Sequence, residues 1–155
     1  MAEASVLFVC LGNICRSPLA EGALRAAAAA RGLAVTVDSA GTGGWHVGAP
    51  PDPRAQAVAR AHGVDISGLR ARQVGAVDFD RFTHVVAMDR DNLAALRRLA
   101  PTGGAALSLL LDHVPGRAGQ SVADPYYGGA EGFRTTWADV SAGAEGLLAR
   151  IAERG

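Results

Sequence analysis

The stretch VLFVCLGNICRSPLAEG, residues Val6–Gly22, contains the only two cysteines of the chain, Cys10 and Cys15. Its first part, Val6–Cys10, is a continuous apolar run rich in strand-forming residues. Such a run predicts a buried strand of the kind found in parallel sheets. Because ligands of parallel α/β sheets bind beyond the carboxyl ends of the strands, the loop after Cys10 lies where a functional site is expected.

The residues after this loop predict a helix. Ser17 is a favourable N-cap, Pro18 suits the first helical turn, and the early Glu21 complements the helix dipole. Alanine and other apolar residues continue the helical pattern to Ala30, and Gly32 predicts its end. The stretch therefore predicts a strand–loop–helix unit.

The rest of the chain alternates strand patterns with helix patterns. The further predicted strands are Val35–Asp38, Phe82–Met88 and Ala106–Leu111. The further predicted helices are Arg54–Ala61, Asp89–Leu99 and Phe133–Glu153. We expect Gly143 and Gly146 to weaken the middle of the last helix. The alternation predicts an α/β domain with a mostly parallel sheet covered on both faces.

Composition limits the classes of function. The 155 residues, 49% hydrophobic and 19% charged, suit a single packed domain that spans 1–155. Lys and Arg number 15 and Asp and Glu number 15, so we expect no nucleic-acid partner and no membrane surface. Apolar runs are too short for a signal core or a membrane span, and two cysteines make no disulfide framework. We expect a cytoplasmic protein.

From Cys10 to Arg16 the sequence reads C-x5-R. A tight loop between a strand and a helix can turn its backbone N–H groups inward, and the helix start adds further N–H groups and the positive end of its dipole. Arg16 can bind two oxygens of a tetrahedral anion. Gly12 and, less readily, Asn13 tolerate the positive φ that such a loop needs. These features predict a phosphate site.

The same groups favour the thiolate form of Cys10, and the Ser17 hydroxyl could donate a hydrogen bond to the sulfur. A site that binds phosphate and aims a thiolate at phosphorus predicts hydrolysis of phosphate esters through a cysteinyl-phosphate. The alternative for Cys10 is a buried structural thiol at the end of a strand. The G-x-x-x-x-G-K-[ST] pattern of nucleotide-binding loops is absent from the sequence.

The segment VCLGNICRSP resembles the signature of the low-molecular-weight protein tyrosine phosphatases. The resemblance continues, in the order of that family, through AEG, DSAGTGGW, ARQ, AMDRDN and ADPYYGG. It implies a flavodoxin-like three-layer α/β fold with a four-stranded parallel sheet and helices on both faces, and no metal or organic cofactor. It also implies a phosphotyrosine-containing protein substrate. We expect inorganic phosphate or vanadate to inhibit the protein, and a monomer is the default oligomeric state.

The resemblance also implies catalytic roles. Cys10 matches the nucleophile, Arg16 the phosphate-binding arginine and Asp124 the general acid. Chemistry requires such an acid independently, because protonating the departing tyrosine oxygen speeds ester cleavage by about 10²–10⁴-fold. The remaining phosphate-binding positions are Leu11, Gly12, Asn13, Ile14, Cys15 and Ser17.

The resemblance also assigns roles to residues around the catalytic groups. Trp45, Tyr126 and Tyr127 match aromatic residues that wall the mouth of the pocket, although packing beneath a loop is the alternative for Tyr127. Cys15 matches a cysteine that forms a disulfide with the nucleophile under oxidant and so protects it. Asp89 is expected to cap a helix rather than to act chemically.

One departure from the family is expected. Asn13 matches an asparagine that braces the loop and that some members hold with a serine and a histidine from other loops. The aligned positions here are Gly43 and Gly68, so we expect a thinner bracing network.

Four alternatives remain open. Protein arginine phosphatases tend to carry Thr before the second loop cysteine, where this chain has Ile14, which favours an aromatic ester. Arsenate reductases of the same fold need further cysteines, which this chain lacks. A phosphotyrosine-binding module without turnover would require loss of the nucleophile or the acid. Metal binding is disfavoured because the four histidines have no ligand spacing.

Overall fold

The computed structural model describes residues 4–100 and 104–154. The strands are β1 (Ser5–Cys10), β2 (Thr36–Gly41), β3 (His84–Ala87) and β4 (Ala106–Leu109). The helices are α1 (Arg16–Arg31), α2 (Pro53–Ala61), α3 (Asp78–Arg81), α4 (Arg90–Leu99) and α5 (Ala130–Arg154), with a 3₁₀-helix at Leu110–His113. The strands form a four-stranded parallel sheet in the order β2-β1-β3-β4, which confirms the predicted α/β class.

Strand β1 separates two hydrophobic cores because successive side chains of a strand point to opposite faces of the sheet. Val6, Phe8 and Cys10 pack on the face covered by α1, α2 and α5. Leu7 and Val9 pack on the other face, against side chains of α3 and α4. Helices therefore cover both faces of the sheet, as the three-layer fold requires.

The strand order places the loop after β1 in a crevice. From β1 the chain moves outward to β2 and then crosses back to β3, on the other side of β1. Helix α1 packs on one face of the sheet and α4 on the other. The carboxyl ends of β1 and β3 thus lie at a topological switch point, where ligands of such sheets bind.

Several predicted strand bounds are wrong: β3 spans His84–Ala87 rather than Phe82–Met88, and the ends of β2 and β4 also differ. The predicted end of β2 at Asp38 is too early, since the backbone ladder continues until Gly41 pairs with Cys10 of β1. The predicted strand to Leu111 is too long, since β4 ends at Leu109 and the chain enters the 3₁₀-helix. In both places the neighbouring segment, rather than local sequence, decides where pairing stops.

Among the described residues, no helix is both long and apolar enough to cross a bilayer. Within the same part of the chain, no three His, Cys, Asp or Glu side chains lie together in a way that could hold a metal ion.

Helix α5 runs without interruption through Gly143 and Gly146, which the sequence predicted to weaken it. A Cβ on Gly146 would lie 1.9 Å from the carbonyl oxygen of His113, and one on Gly143 would lie 2.4 Å from Cγ of Leu110. The glycines thus allow α5 to pack closely on the 3₁₀-helix. Their cost in helix propensity is offset by this contact.

We expect Gly146→Ala to lower the free energy of unfolding by roughly 2 kcal/mol, because the new methyl would overlap a backbone carbonyl that cannot rotate away. Helix propensity alone predicts a gain of about 1 kcal/mol. Gly132→Ala, in the first turn of the same helix, is the matched control, since its Cβ would lie 3.6 Å from Pro125. Urea unfolding of both variants measures this free energy. A Gly146→Ala protein as stable as the parent would contradict the close packing of α5 on the 3₁₀-helix.

Candidate active site

A cavity of about 330 Å³ opens at the carboxyl end of β1. Its lining residues are Cys10, Leu11, Gly12, Ile14, Cys15, Arg16, Trp45, His46, Asp124, Tyr126 and Tyr127. The structure therefore brings together every site residue proposed from the sequence except Asn13 and Ser17, which are buried beside the cavity. His46 is an addition, since nothing in the sequence motifs singled it out.

Cys10 is 3% exposed at the floor of this cavity. The backbone N–H of Asn13 donates to its Sγ at 3.3 Å, and the hydroxyl of Ser17 lies 3.0 Å from the same sulfur. Hydrogen-bond donors directed at a sulfur stabilise its negative charge. The sulfur of Cys10 therefore has a backbone N–H and a hydroxyl group within hydrogen-bond distance.

Asn13 holds the loop in shape. Its φ of 58° is the positive-φ position of the loop, so of the two candidates named from the sequence Asn13 adopts this conformation and Gly12 does not. The Asn13 side-chain NH₂ donates to Ser17 Oγ at 2.8 Å and to Ser39 Oγ at 3.0 Å. Its Oδ1 accepts a hydrogen bond from the backbone N–H of Arg72 at 3.0 Å. All three hydrogen bonds cross between segments and fix the loop to its surroundings.

The expected thinning of the bracing network at Gly43 and Gly68 was wrong. Ser39 supplies the hydroxyl that braces Asn13, and the backbone N–H of Arg72 supplies the second contact. The sequence pattern missed both because Ser39 lies in the part of β2 that was predicted as loop, and because a backbone donor leaves no side-chain signature.

Ser17 is not the N-cap of α1, contrary to the sequence-based prediction. The N-cap is Cys15, and it makes no side-chain capping hydrogen bond. The Ser17 hydroxyl oxygen accepts from Asn13, so its own hydrogen is free to point at Cys10 Sγ, 3.0 Å away. The carbonyl oxygen of Ala40 lies farther away, at 3.4 Å. The Ser17 hydroxyl hydrogen therefore has two acceptors within reach, of which the Cys10 sulfur is the nearer.

Glu21 lies beneath this network rather than in the first turn of α1, where it was expected to complement the dipole. It is 1% exposed and accepts hydrogen bonds from Ser39 Oγ at 2.8 Å and from Arg25 at 2.7 Å. Burial raises the pKa of Glu21, and the hydrogen bonds from Arg25 and Ser39 oppose that rise. A continuous hydrogen-bonded chain thus runs from Glu21 through Ser39, Asn13 and Ser17 to the sulfur.

Arg16 is 3% exposed and is held on both sides. Its Nη1 donates to Asp89 Oδ2 at 2.7 Å and to the carbonyl oxygen of Val122 at 2.9 Å. Its Nη2 lies 3.7 Å from Asp124 Oδ2. The guanidinium is thus fixed at the cavity wall by groups that arrive from two other loops.

Asp89 combines two functions. Its Oδ1 accepts from the backbone N–H of Asn92 at 2.7 Å, so it caps α4 as predicted. Its Oδ2 pairs with Arg16, a contact that no sequence motif indicated. The pairing is possible because β3 lies beside β1, which brings the start of α4 close to the loop after β1.

Asp124 lies at the rim of the cavity with its side chain 40% exposed. The backbone N–H of Tyr126 donates to its Oδ1 at 3.1 Å and orients the carboxylate. The rings of Tyr126 and Tyr127 meet edge to face, with centroids 5.0 Å apart. Trp45 is 74% exposed and Tyr127 is 94% exposed. Tyr127 is therefore not packed beneath its loop, and the aromatic side chains stand at the mouth of the cavity.

Cys15 differs from Cys10 in its surroundings. It is 5% exposed, and burial raises the pKa of its thiol to about 12, with the nearby negative charge of Asp52 adding to the effect. Both cysteines are free. Cys15 is therefore a protonated thiol at neutral pH.

We expect Asp89→Asn to weaken inhibition by inorganic phosphate about 10-fold, because the amide removes the charged partner that holds Arg16 in place. Asparagine can still cap α4, so the fold should be retained. Asp91→Asn, two residues along and exposed, is the matched control. The inhibition constant of phosphate measures the effect, and equal values for Asp89→Asn and the parent would show that Arg16 is held without Asp89.

Comparison with known proteins identifies the family. The family model described as low molecular weight phosphotyrosine protein phosphatase matches residues 5–155. A low molecular weight protein-tyrosine-phosphatase of Streptomyces coelicolor is 48% identical over 155 residues, which cover 96% of this chain and 94% of that protein. The protein-tyrosine-phosphatase YfkJ of Bacillus subtilis is 45% identical over 150 residues, 95% of each chain.

Solved structures agree with the sequence relatives. The crystal structure of YfkJ matches with a TM-score of 0.93 and 42% identity and covers 99% of this chain and 98% of that one. The crystal structure of DARP, a Drosophila arginine phosphatase, matches with a TM-score of 0.85 and 34% identity, covering 94% of this chain and 96% of that one. The chain belongs to the low molecular weight phosphotyrosine protein phosphatases, a family of enzymes.

Proposed function

We propose that this enzyme hydrolyses phosphotyrosine in proteins, and aryl phosphates in general, through a cysteinyl-phosphate intermediate. The observation that carries the proposal is the arrangement in one cavity of Cys10 at the floor, Arg16 in the wall and Asp124 at the rim. A sulfur supplied with hydrogen-bond donors, a buried guanidinium and an accessible carboxyl group are the parts that such a displacement requires.

In the first step the Cys10 thiolate attacks phosphorus. A sulfur–phosphorus bond forms as the bond from phosphorus to the tyrosine oxygen breaks. Arg16 binds two of the non-bridging oxygens and stabilises the charge that they carry in the transition state. Asp124, protonated at this stage, gives its proton to the departing oxygen, so the alcohol leaves as a neutral phenol.

In the second step water attacks the phosphocysteine. The Asp124 carboxylate accepts a proton from this water as its oxygen bonds to phosphorus. The sulfur–phosphorus bond breaks, and the electron pair returns to Cys10. The Ser17 hydroxyl stabilises the departing thiolate, in keeping with its 3.0 Å distance from the sulfur. Inorganic phosphate leaves, and Asp124 is again protonated.

The aromatic side chains support a phosphotyrosine substrate. Trp45, Tyr126 and Tyr127 line the cavity and present apolar faces on its outer part. Leu11 and Ile14 add aliphatic surface to the same cavity. Aromatic pairs add about 0.5–1.5 kcal/mol beyond the burial of their area, so a phenyl ring fits this mouth better than the small side chain of phosphoserine.

Cys15 has a protective part in this proposal. Its thiol is protonated at neutral pH, so oxidation begins at the Cys10 thiolate, which is the more reactive form. When an oxidant converts Cys10 to the sulfenic acid, the Cys15 sulfur attacks it. A disulfide forms and water leaves, and further irreversible oxidation of Cys10 is prevented.

The first test of the proposal uses p-nitrophenyl phosphate with vanadate as the inhibitor. We expect Cys10→Ser to abolish turnover, by about 10³-fold or more, because the hydroxyl is a far weaker nucleophile than the thiolate. We expect Asp124→Ala to slow hydrolysis of phenyl phosphate by about 10²–10⁴-fold. Asp80→Ala, an exposed aspartate outside the cavity, is the control and should retain the parent rate. Turnover retained in Cys10→Ser would refute the nucleophile.

Phosphoarginine is the competing substrate, because the structure of an arginine phosphatase matches this chain. We expect the parent to cleave phosphotyrosine peptides faster than phosphoarginine or phosphoserine peptides, since Ile14 lines the cavity with an apolar side chain. Ile14→Thr should lower the preference for phosphotyrosine over phosphoarginine about 10-fold. Val47→Thr, on the exposed surface, is the control. A parent that prefers phosphoarginine would reverse the assignment.

A further inference from the structure

The loop that carries Asp124 has few attachments of its own. Residues 123–129 include Gly128 and Gly129 and contain no helix or strand. Within this loop, the Asp124 carboxylate accepts from Tyr126 and the backbone N–H of Gly128 donates to the Pro125 carbonyl. In the described part of the chain, the side-chain hydrogen bonds to this loop from other segments come from Arg54, and the backbone N–H of Gly132 in α5 donates to the carbonyl oxygen of Gly129.

Arg54 lies at the start of α2 and reaches the loop with both ends of its guanidinium. Its Nη2 donates to the carbonyl oxygen of Tyr126 at 3.0 Å, and its Nη1 donates to that of Gly128 at 3.1 Å. The guanidinium carbon lies 4.7 Å from the centre of the Phe133 ring and 5.7 Å from that of Tyr126. Two hydrogen bonds and two ring faces thus fix the position of the loop relative to Arg54.

Asp52 fixes Arg54 in turn. Asp52 accepts from Nη2 of Arg54 at 3.0 Å and from its Nε at 3.1 Å, and its own side chain is 10% exposed. The hydrogen bonds from Arg54 hold the pKa of Asp52 below its usual value. The ion pair therefore keeps the guanidinium in one orientation.

The same short segment is tied to the phosphate-binding loop. The backbone N–H of Asp52 donates to the carbonyl oxygen of Ile14 at 2.8 Å. The segment 52–54 therefore bonds the loop after β1 through Asp52 and the Asp124 loop through Arg54. These two loops are far apart in the sequence, and the distance between their functional groups depends on a connection of this kind.

Tyr126 connects Arg54 to Asp124, the proposed general acid. Its carbonyl oxygen accepts from Arg54, and its N–H donates to Asp124 Oδ1 at 3.1 Å. A displaced Tyr126 would therefore take the carboxylate with it. Arg54 itself is not among the residues that line the cavity, so it reaches the chemistry through the loop and not through the substrate.

We propose that Arg54 is a positioning residue, which keeps the Asp124 carboxyl group within reach of the leaving oxygen. It does so by fixing the backbone of residues 126–128 relative to the phosphate-binding loop. This inference rests on the proposed function, in which Asp124 is the general acid. Lysine cannot replace Arg54 fully, because one ammonium group cannot bond two carbonyl oxygens and a carboxylate in the fixed geometry of a guanidinium.

The test compares two substrates that depend differently on the acid. Phenyl phosphate has a poor leaving group and needs the proton from Asp124, whereas p-nitrophenyl phosphate has a better one and needs it less. We expect Arg54→Ala to lower kcat/KM for phenyl phosphate by about 10- to 100-fold, as a displacement of roughly 1 Å does. The loss for p-nitrophenyl phosphate should be several-fold smaller, and Arg54→Lys should recover part of the loss.

A double-mutant cycle identifies the route of the effect. If Arg54 acts through Asp124, adding Arg54→Ala to Asp124→Ala should change the rate by less than about twofold, because the group that Arg54 positions is already gone. Vanadate inhibition should be equal in the parent and in Arg54→Ala, since the phosphate-binding loop is intact. Arg60→Ala, an exposed arginine on the same helix, is the matched control and should match the parent on both substrates.

Two results would overturn the inference. One is an equal loss on both substrates in Arg54→Ala or, where that variant does not fold, in Arg54→Lys. The other is a loss that adds fully to that of Asp124→Ala. Failure of the proposed function looks different, because the parent would then cleave neither aryl phosphate or Cys10→Ser would remain active.

Discussion

The arrangement of the site depends on a single buried amide. Asn13 adopts a left-handed backbone conformation that ordinary residues avoid, and its side chain forms hydrogen bonds to Ser17, Ser39 and the backbone of Arg72. A buried polar side chain with an unmet hydrogen bond costs about 1–3 kcal/mol, and the observed loop conformation satisfies both the NH₂ group and the oxygen of this amide. In that conformation the Asn13 N–H points at the sulfur of Cys10.

Buried charge is the second constraint. Arg16 and Glu21 are almost fully buried, and an unpaired charge in such a place would be strongly destabilising. Each has partners: Asp89 for Arg16, and Ser39 of β2 together with Arg25, one turn along α1, for Glu21. These pairings join the loop after β1 to β2 and to the start of α4. The loop after β1 is therefore held in place by hydrogen bonds and ion pairs to the scaffold around it.

Local sequence and distant contacts shape different parts of this structure. The strand that ends at Cys10 and the loop after it could be predicted from local residues. The family resemblance indicated nearly every residue that lines the cavity. Predictions failed where a distant partner decides. Ser17 is a residue type that favours the N-cap, yet it lies within α1 and its hydroxyl bonds Cys10 and Asn13, both of which are buried. Ser39 was predicted as part of a loop because its pairing with β1 leaves no pattern in the neighbouring residues.

Local sequence alone specifies which reactive groups the chain carries: a thiol beside an arginine in a strand–loop–helix unit, and an Asp-Pro segment with two tyrosines. It also determined the alternation of strands and helices, since that follows from the period of apolar residues. The tertiary structure alone decided which groups meet. Asp89, Ser39, Arg72 and Arg54 reach the site through strand order and loop packing, and such contacts between residues far apart in the sequence leave no periodic trace. Hydrogen-bond geometry at the sulfur and at the Asp124 carboxylate is therefore a property of the folded chain.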